Sequence, residues 1–313
     1  MAVLLVIGGT GFFGKSVLDE FRRGLLAPWE IDKVIAMSRN PDQLKLEAPE
    51  LLGPRVELYA ADIAKTDTLP AADYVIHAAA STDAALYISQ PDEERENIIA
   101  GTLNYCRLAP VYHAKSKIIY TSSGAVYGYQ PKGIEKLTED MGFGNVENLS
   151  ETKKSYAYAK RDAENAIIQL GKKGLNISIA RCFAFVGRNL PRDNHFAIGN
   201  FIENGLNREF IQIKANGLVY RSYMYADDLV EWLMTIAENS SPNCEIYNVG
   251  SDESYGIRDH ATTVGNYFKI EVKVKSPLLD QVDRYIPSID KAKVKLNLIN
   301  KVNIEKSIEL SVE

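Results

Sequence analysis

Residues 3–7 form an unbroken run of apolar, mostly branched side chains that stops at Gly8. With no polar position left to face water, such a run predicts a strand buried on both faces of a parallel sheet. The spacing then becomes helical: Phe12, Phe13, Val17, Leu18 and Phe21 can share one face, and Gly24 and Pro28 end the segment. The strand pattern returns at residues 34–37, 56–59, 74–77, 117–121 and 177–181, with amphipathic stretches at 93–108 and about 153–172 between the later ones. Strand alternating with helix predicts an α/β fold built on a doubly wound parallel sheet. Past Arg181 the pattern loosens at Gly187, Pro191 and Gly199, short strands are expected near 210–213 and 218–224, a helix over 227–238 and one more core strand over 245–249. Residues 1–182 with about 226–249 are therefore expected to carry the sheet. About 183–225 and 250–313 are expected to form a smaller, discontinuous α/β lobe over its C-terminal edge.

The composition narrows the classes of function. Of 313 residues, 46% are hydrophobic and 25% charged, enough for a large core. Lys+Arg 36 against Asp+Glu 41 gives a net charge of -5 with no basic run, so no nucleic-acid partner is expected, because phosphate backbones need a basic footprint. The first apolar run is too short to span a bilayer and has no basic residue before it, so no membrane association and a cytoplasmic location are expected. Cys106, Cys182 and Cys244 form no CxxC pair, which fits a reducing compartment. The four histidines show no HExxH spacing, and no metal site is expected. His77 reads as a core histidine satisfied by backbone, and Cys182 as a buried apolar residue.

Gly8-Gly9-Thr10-Gly11-Phe12-Phe13-Gly14 follows the first strand and opens the first helix. That context points backbone N–H groups and a helix dipole at one spot, which suits the pyrophosphate of a dinucleotide on a Rossmann-type sheet. Glycines 9, 11 and 14 give one register and 8, 11 and 14 another, and spacing does not choose between them. At the tip of the second strand an acid would hold the ribose 2′-OH of NAD, but this chain has Ser38-Arg39-Asn40. Ser38 and Arg39 instead suit a 2′-phosphate, so NADP(H) is the preferred cofactor and NAD(H) the alternative. Tyr156 and Lys160 lie one turn apart on the long helix, and Ser122-Ser123 end the fifth strand at the edge where parallel sheets bind ligands. Together these residues suggest a proton-transfer site.

With Asp62-Ile63, Val75-Ile76-His77-Ala78-Ala79-Ala80, Thr121-Ser122-Ser123-Gly124-Ala125-Val126-Tyr127-Gly128 and Arg221-Ser222-Tyr223-Met224-Tyr225-Ala226-Asp227-Asp228, the chain resembles extended short-chain dehydrogenases of the epimerase/dehydratase type. The resemblance implies a nucleotide-sugar substrate and a catalytic set of Ser123, Tyr156 and Lys160. It puts Gly8, Gly11 and Gly14, with Phe12 and Phe13, at the phosphate turn, Asp62 and Ile63 by the adenine, and Ala78, Ala79 and Ala80 along the cofactor. Phe183 would sit by the nicotinamide, Arg221 by the sugar-nucleotide phosphates, and Arg284 on the substrate side. It also implies a homodimer, formed through the helices at 93–108 and 153–172. Three positions depart from the family pattern: Ala184 and Ile98 stand where asparagine is usual, and Ser222 where an acid is common.

Family dehydratases carry an Asp-Glu pair after the catalytic Ser/Thr; here those positions are Gly124 and Ala125, which cannot move protons. The expected function is NADP-dependent reduction of the 4-keto group of a nucleotide-linked deoxysugar. A nucleotide-sugar 4-epimerase with tightly bound NAD(P) is the alternative, and a non-catalytic NADP-binding sensor is the reading from a different class.

Overall fold

Alternate residues of the first strand go to opposite cores, which is what a sheet covered on both faces requires. In the computed structural model, which describes residues 1–79, 91–192, 196–215, 217–274 and 282–313, Leu4 and Val6 join one buried cluster and Leu5 and Ile7 another. The strands in chain order are β1 (Ala2–Ile7), β2 (Ile31–Ser38), β3 (Val56–Ala60), β4 (Tyr74–His77), β5 (Lys117–Ser123), β6 (Ile177–Cys182), β7 (Phe185–Val186), β8 (Ile211–Ile213), β9 (Leu218–Arg221), β10 (Met224–Tyr225), β11 (Ile246–Val249), β12 (Tyr255–Gly256), β13 (Val272–Val274) and β14 (Val282–Tyr285).

Seven of them form one parallel sheet in the order β11-β6-β5-β4-β1-β2-β3. Helices Phe12–Arg22 and Ala226–Glu238 cover one face, and Pro91–Tyr112 and Glu151–Lys172 cover the other. The strand order reverses between β1 and β4, so the connections after them leave a crevice at the C-terminal edge, the place where such sheets take ligands. The fold is α/β and doubly wound, as the hydrophobic pattern predicts.

The remaining elements gather beyond that edge. They include the sheets β12-β9-β14 and β13-β8, and the helices Ala197–Leu206 and Ile257–Phe268, around a third core containing Ile198, Phe201, Ile211, Val264 and Phe268. The expected single strand over 218–224 is two: β9 pairs with β12 and β14, while β10 pairs with β7. The alternating Tyr220, Tyr223 and Tyr225 masked the break, because alternation continues in the sequence while the backbone changes sheets. Among the described residues no helix is long and apolar enough to cross a membrane, and no cluster of His, Cys, Asp and Glu could hold a metal.

Candidate functional site

The glycine turn uses its glycines differently, and both alternative positions, Gly8 and Gly9, are closed to a side chain. Gly8 has φ +101°, and a Cβ there would lie 2.8 Å from the Ala78 carbonyl. Cβ atoms on Gly9 and Gly14 would strike Ala36 and the Gly9 carbonyl at 2.8 and 2.3 Å. Those three let the strand, turn and helix close on one another. Gly11 meets only the Gly8 oxygen at 3.5 Å, so its missing side chain leaves open space at the helix N-terminus. No side chain caps that helix, and its first-turn amides, those of Phe12, Phe13 and Gly14, lack intrahelical acceptors. An anionic diphosphate fits this cradle. The rings of Phe12 and Phe13 turn away from it to pack on Phe185, at centroid distances of 6.4 and 5.3 Å, so only their backbones face the turn.

Ser38 ends β2 with a buried Oγ that has no hydrogen-bond partner among the described residues, and Arg39 beside it is exposed. An orphaned hydroxyl next to an uncommitted guanidinium is the donor set a phosphate would satisfy. Asp62 accepts from the Ala64 amide at 3.0 Å, and Ile63 touches the position of Gly101. Ala78 donates its amide to Ile7 and continues β4 into the crevice with Ala79, whereas Ala80 lies outside the described residues.

Ser123, Tyr156 and Lys160 come together. β5 delivers Ser123 at its last residue, and the helix Glu151–Lys172, capped by Ser150, presents Tyr156 and Lys160 on one face. Lys160 is almost fully buried, donates from Nζ to the Thr121 carbonyl at 3.0 Å, and sits 5.8 Å from the Tyr156 ring centroid. Burial lowers its ammonium to about 8, opposed by Cys182 and Glu164. One of its three donors is committed to Thr121, which leaves donors for ribose hydroxyls. Burial pushes the Tyr156 phenol up to about 12, and the Ser123 hydroxyl opposes that shift.

Of three neighbours of this set, Cys182 is buried as the sequence predicts, while His77 departs from its expectation. Cys182, in register with Ser123 on β6, feels Lys160, a basic neighbour invisible in the sequence; burial still pushes its thiol up to about 12. His77 is not satisfied by backbone, since neither ring nitrogen has a partner among the described residues. Instead its ring packs against Tyr105 and Tyr120, at 4.9 and 5.1 Å, and burial followed by the Lys160 charge holds it down to about 3. Tyr285, for which the sequence carries no local signal, reaches Ser123 from β14 and packs on Phe183 at 4.7 Å.

Ser123, Tyr156 and Tyr285 line a cleft of about 1590 Å³ that also contains Phe183, Arg221, Arg284 and Lys153. Arg221 donates to Tyr220 O at 2.8 Å and pairs with the Asp283 carboxylate at 2.7 Å. Arg284 lies 4.0 Å over the Tyr220 ring and donates to Ser254 Oγ. The acid missing at Ser222 is thus replaced from another strand, while Ser222 itself is buried with its hydroxyl unpartnered among the described residues. Lys153, one turn before Tyr156, offers an ammonium with no partner among the described residues. The i,i+3 spacing to Tyr156 was the available signal for it.

Residues 4–250 match the model of the NAD dependent epimerase/dehydratase family. Curated relatives include UDP-glucuronic acid decarboxylase 6 of Arabidopsis thaliana, 28% identical with 99% of this chain and 88% of that protein covered. UDP-glucuronic acid decarboxylase 5 of the same plant is 27% identical at the same coverage. Among solved structures, UDP-glucose 4-epimerase from Thermotoga maritima superposes with a TM-score of 0.79 at 22% identity, covering 99% of this chain and 97% of that one. DesIV, a dTDP-glucose 4,6-dehydratase from Streptomyces venezuelae with NAD bound, gives 0.78 at 19% identity, covering 98% and 96%. These structural likenesses carry the fold.

Proposed function

This chain belongs to the NAD dependent epimerase/dehydratase family and is an enzyme of it, and from that premise we propose that it reduces the 4-keto group of a nucleotide-linked deoxysugar with NADPH. The observation that carries the reading is what surrounds Ser123. Tyr156 and Lys160 supply one proton-transfer path, while the next two residues, Gly124 and Ala125, offer no group able to remove a second proton or expel a hydroxyl. One hydride to the carbonyl carbon and one proton to its oxygen are what carbonyl reduction requires.

In this reading Gly8, Gly11 and Gly14 with the Phe12 and Phe13 amides hold the diphosphate. Ser38 and Arg39 take the 2′-phosphate, Asp62 and Ile63 flank the adenine, Ala78 and Ala79 line the cofactor, and Phe183 sits by the nicotinamide. Bound there, the nicotinamide gives or takes a hydride. Ser123 donates a hydrogen bond to the carbonyl oxygen, Tyr156 gives that oxygen its proton, and Lys160 holds the ribose and favours the phenolate left behind. A phenol at its ordinary pKa near 10 is a poor base at neutral pH, so the cation beside Tyr156 is essential when the reaction runs in the oxidative direction. Arg221 and Arg284 take the sugar-nucleotide phosphates.

One observation favours a second reading, 4-epimerisation with the cofactor recycled: the cleft of about 1590 Å³ leaves room for a keto-sugar to turn over. NADPH absorbance with a panel of nucleotide-linked 4-keto-6-deoxy sugars, followed alongside NMR of 4-epimer exchange, separates the two. Net NADPH oxidation is the expected result; epimer exchange without net oxidation would replace it with the second reading.

A further inference from the structure

Two phenols, not one, converge on the Ser123 hydroxyl. Tyr156 approaches from the long helix and Tyr285 from β14, and the side chain of Ser123 interacts with both. The position of the Tyr285 hydroxyl is fixed independently, because a Cβ built on Gly124 would lie 2.6 Å from it and 2.8 Å from Phe183. The Tyr285 ring is held by packing on Phe183.

A serine hydroxyl has one proton to donate and two lone pairs to accept with. The Ala125 amide donates to Ser123 Oγ at 3.2 Å and takes one lone pair. If Tyr285 donates to the other, the single Ser123 proton is left for Tyr156. Resting on the reading of Tyr156 as the proton-transfer group, we propose that Tyr285 is a positioning residue that fixes the Ser123 hydroxyl proton on the Tyr156 side of the site. With substrate bound, the same arrangement directs that proton to the carbonyl oxygen.

The surrounding charges assign the roles this way round. Lys160, on the same helix, faces Tyr156, with Glu164 acting on Lys160 and neutral His77 beneath it. Cys182 on β6 faces both phenols, and Tyr120 on β5 lies against Tyr156. The cation acting on Tyr285 is Arg221 on β9, which is already paired with Asp283. Burial raises Tyr285 well above an ordinary phenol. Burial raises Tyr156 as well, so the roles follow from placement: Lys160 Nζ stands 5.8 Å from the Tyr156 ring centroid, while the cation near Tyr285 is already paired, which makes Tyr156 the phenol to ionise and Tyr285 the one to donate.

An ultraviolet difference titration of the enzyme saturated with NADP+ tests this without any sugar substrate. One tyrosine should ionise below the rest, and Tyr156→Phe should remove that signal. Tyr285→Phe should keep it but raise its midpoint by about 0.5 to 1 pH unit, the size of one lost hydrogen bond in the relay. Gly124→Ala, which displaces the hydroxyl and keeps the phenol, should move it the same way. In a Ser123→Ala background, Tyr285→Phe should have no further effect. An unmoved or lowered midpoint in both single variants, or an undiminished Tyr285→Phe shift without Ser123, overturns the proposal. A signal that survives Tyr156→Phe and vanishes in Tyr285→Phe reverses the roles and overturns it too. A wild type with no early-ionising tyrosine overturns the Tyr156 reading along with it.

Discussion

Arg221 and Asp283 pair diagonally across the neighbouring parallel strands β9 and β14, where Arg221 is in register with Tyr285 and Asp283 with Val219, with Nη2 2.7 Å from Oδ2. The carboxylate keeps the guanidinium fork in one orientation at the cleft wall, a role that Ser222 cannot fill. Asp283→Ala should free the fork without touching the reacting carbon. We expect KM for the nucleotide sugar to rise about 3- to 10-fold, with kcat changed less than about twofold, the pattern of lost uniform binding. Steady-state kinetics showing the reverse split would place Asp283 in the chemistry instead.

Cofactor choice rests on Ser38 and Arg39. NADP(H) should bind more tightly than NAD(H), and Arg39→Ala should cut the ratio roughly tenfold, the worth of one charge-assisted contact. Fluorescence titration of both cofactors against both proteins measures it. Equal affinities in the wild type would remove the main support for a reductase that exchanges its cofactor.

Tyr156→Phe keeps the ring and loses the proton. Turnover should drop by about two to four powers of ten, the usual worth of general acid–base catalysis, while the fold and cofactor affinity persist. A variant with wild-type turnover would move the proton-transfer role elsewhere.

Lys160 is buried at a cost to stability. Its folded pKa of about 8 lies below the ordinary lysine value of 10.5, so between these limits the unfolded chain binds more protons. Its contribution to stability therefore rises with pH across that window and is lost as pH falls through 8. In the cofactor-free protein, Lys160→Met should raise stability at pH 7 by about 1 to 2 kcal/mol and lose most of that gain by pH 10, while turnover and cofactor affinity fall. Thermal melts at the two pH values check the sign; a destabilised variant at pH 7 would mean that the Thr121 hydrogen bond outweighs the burial.

Self-association is expected through the helices Pro91–Tyr112 and Glu151–Lys172, bridged within one chain by Arg95 and Asp162 at 3.0 Å. Leu103 and Val111 are 54% and 74% exposed on the first of them. Light scattering should give twice the 34.8 kDa of one chain, and Leu103→Glu should shift the protein toward that single-chain mass. A single-chain mass for the wild type over a wide concentration range would count against the pairing.

Most of the sheet was legible because its strands are buried on both faces and write continuous apolar runs; Tyr74–His77 has the predicted bounds. The helices Ala197–Leu206 and Ile257–Phe268 were not: Gly199 reads as a breaker, and it and the glycines at 205 and 265 serve as close packing points. A Cβ on Gly205 would meet the Phe268 ring at 2.1 Å. The glycine turn, the strand end at Ser123 and the Tyr156/Lys160 spacing each show within one element, and the fold brings the last two together. Tyr285 and Asp283 were not, since their significance comes from a strand more than a hundred residues away from Ser123 in sequence, and no local pattern encodes that approach.

The strand β11 closes the large sheet against β6 after some sixty residues spent elsewhere, and the chain then leaves again to supply β12 and β14. The cleft wall that carries Arg221 and Tyr285 is therefore stitched from stretches on either side of a core strand. No single recombination point could exchange that wall for a relative's while sparing the sheet. New substrate preferences in this chain would have to arise by residue replacement in place, at positions such as Lys153, Asp283 and Tyr285, more readily than by grafting a foreign segment.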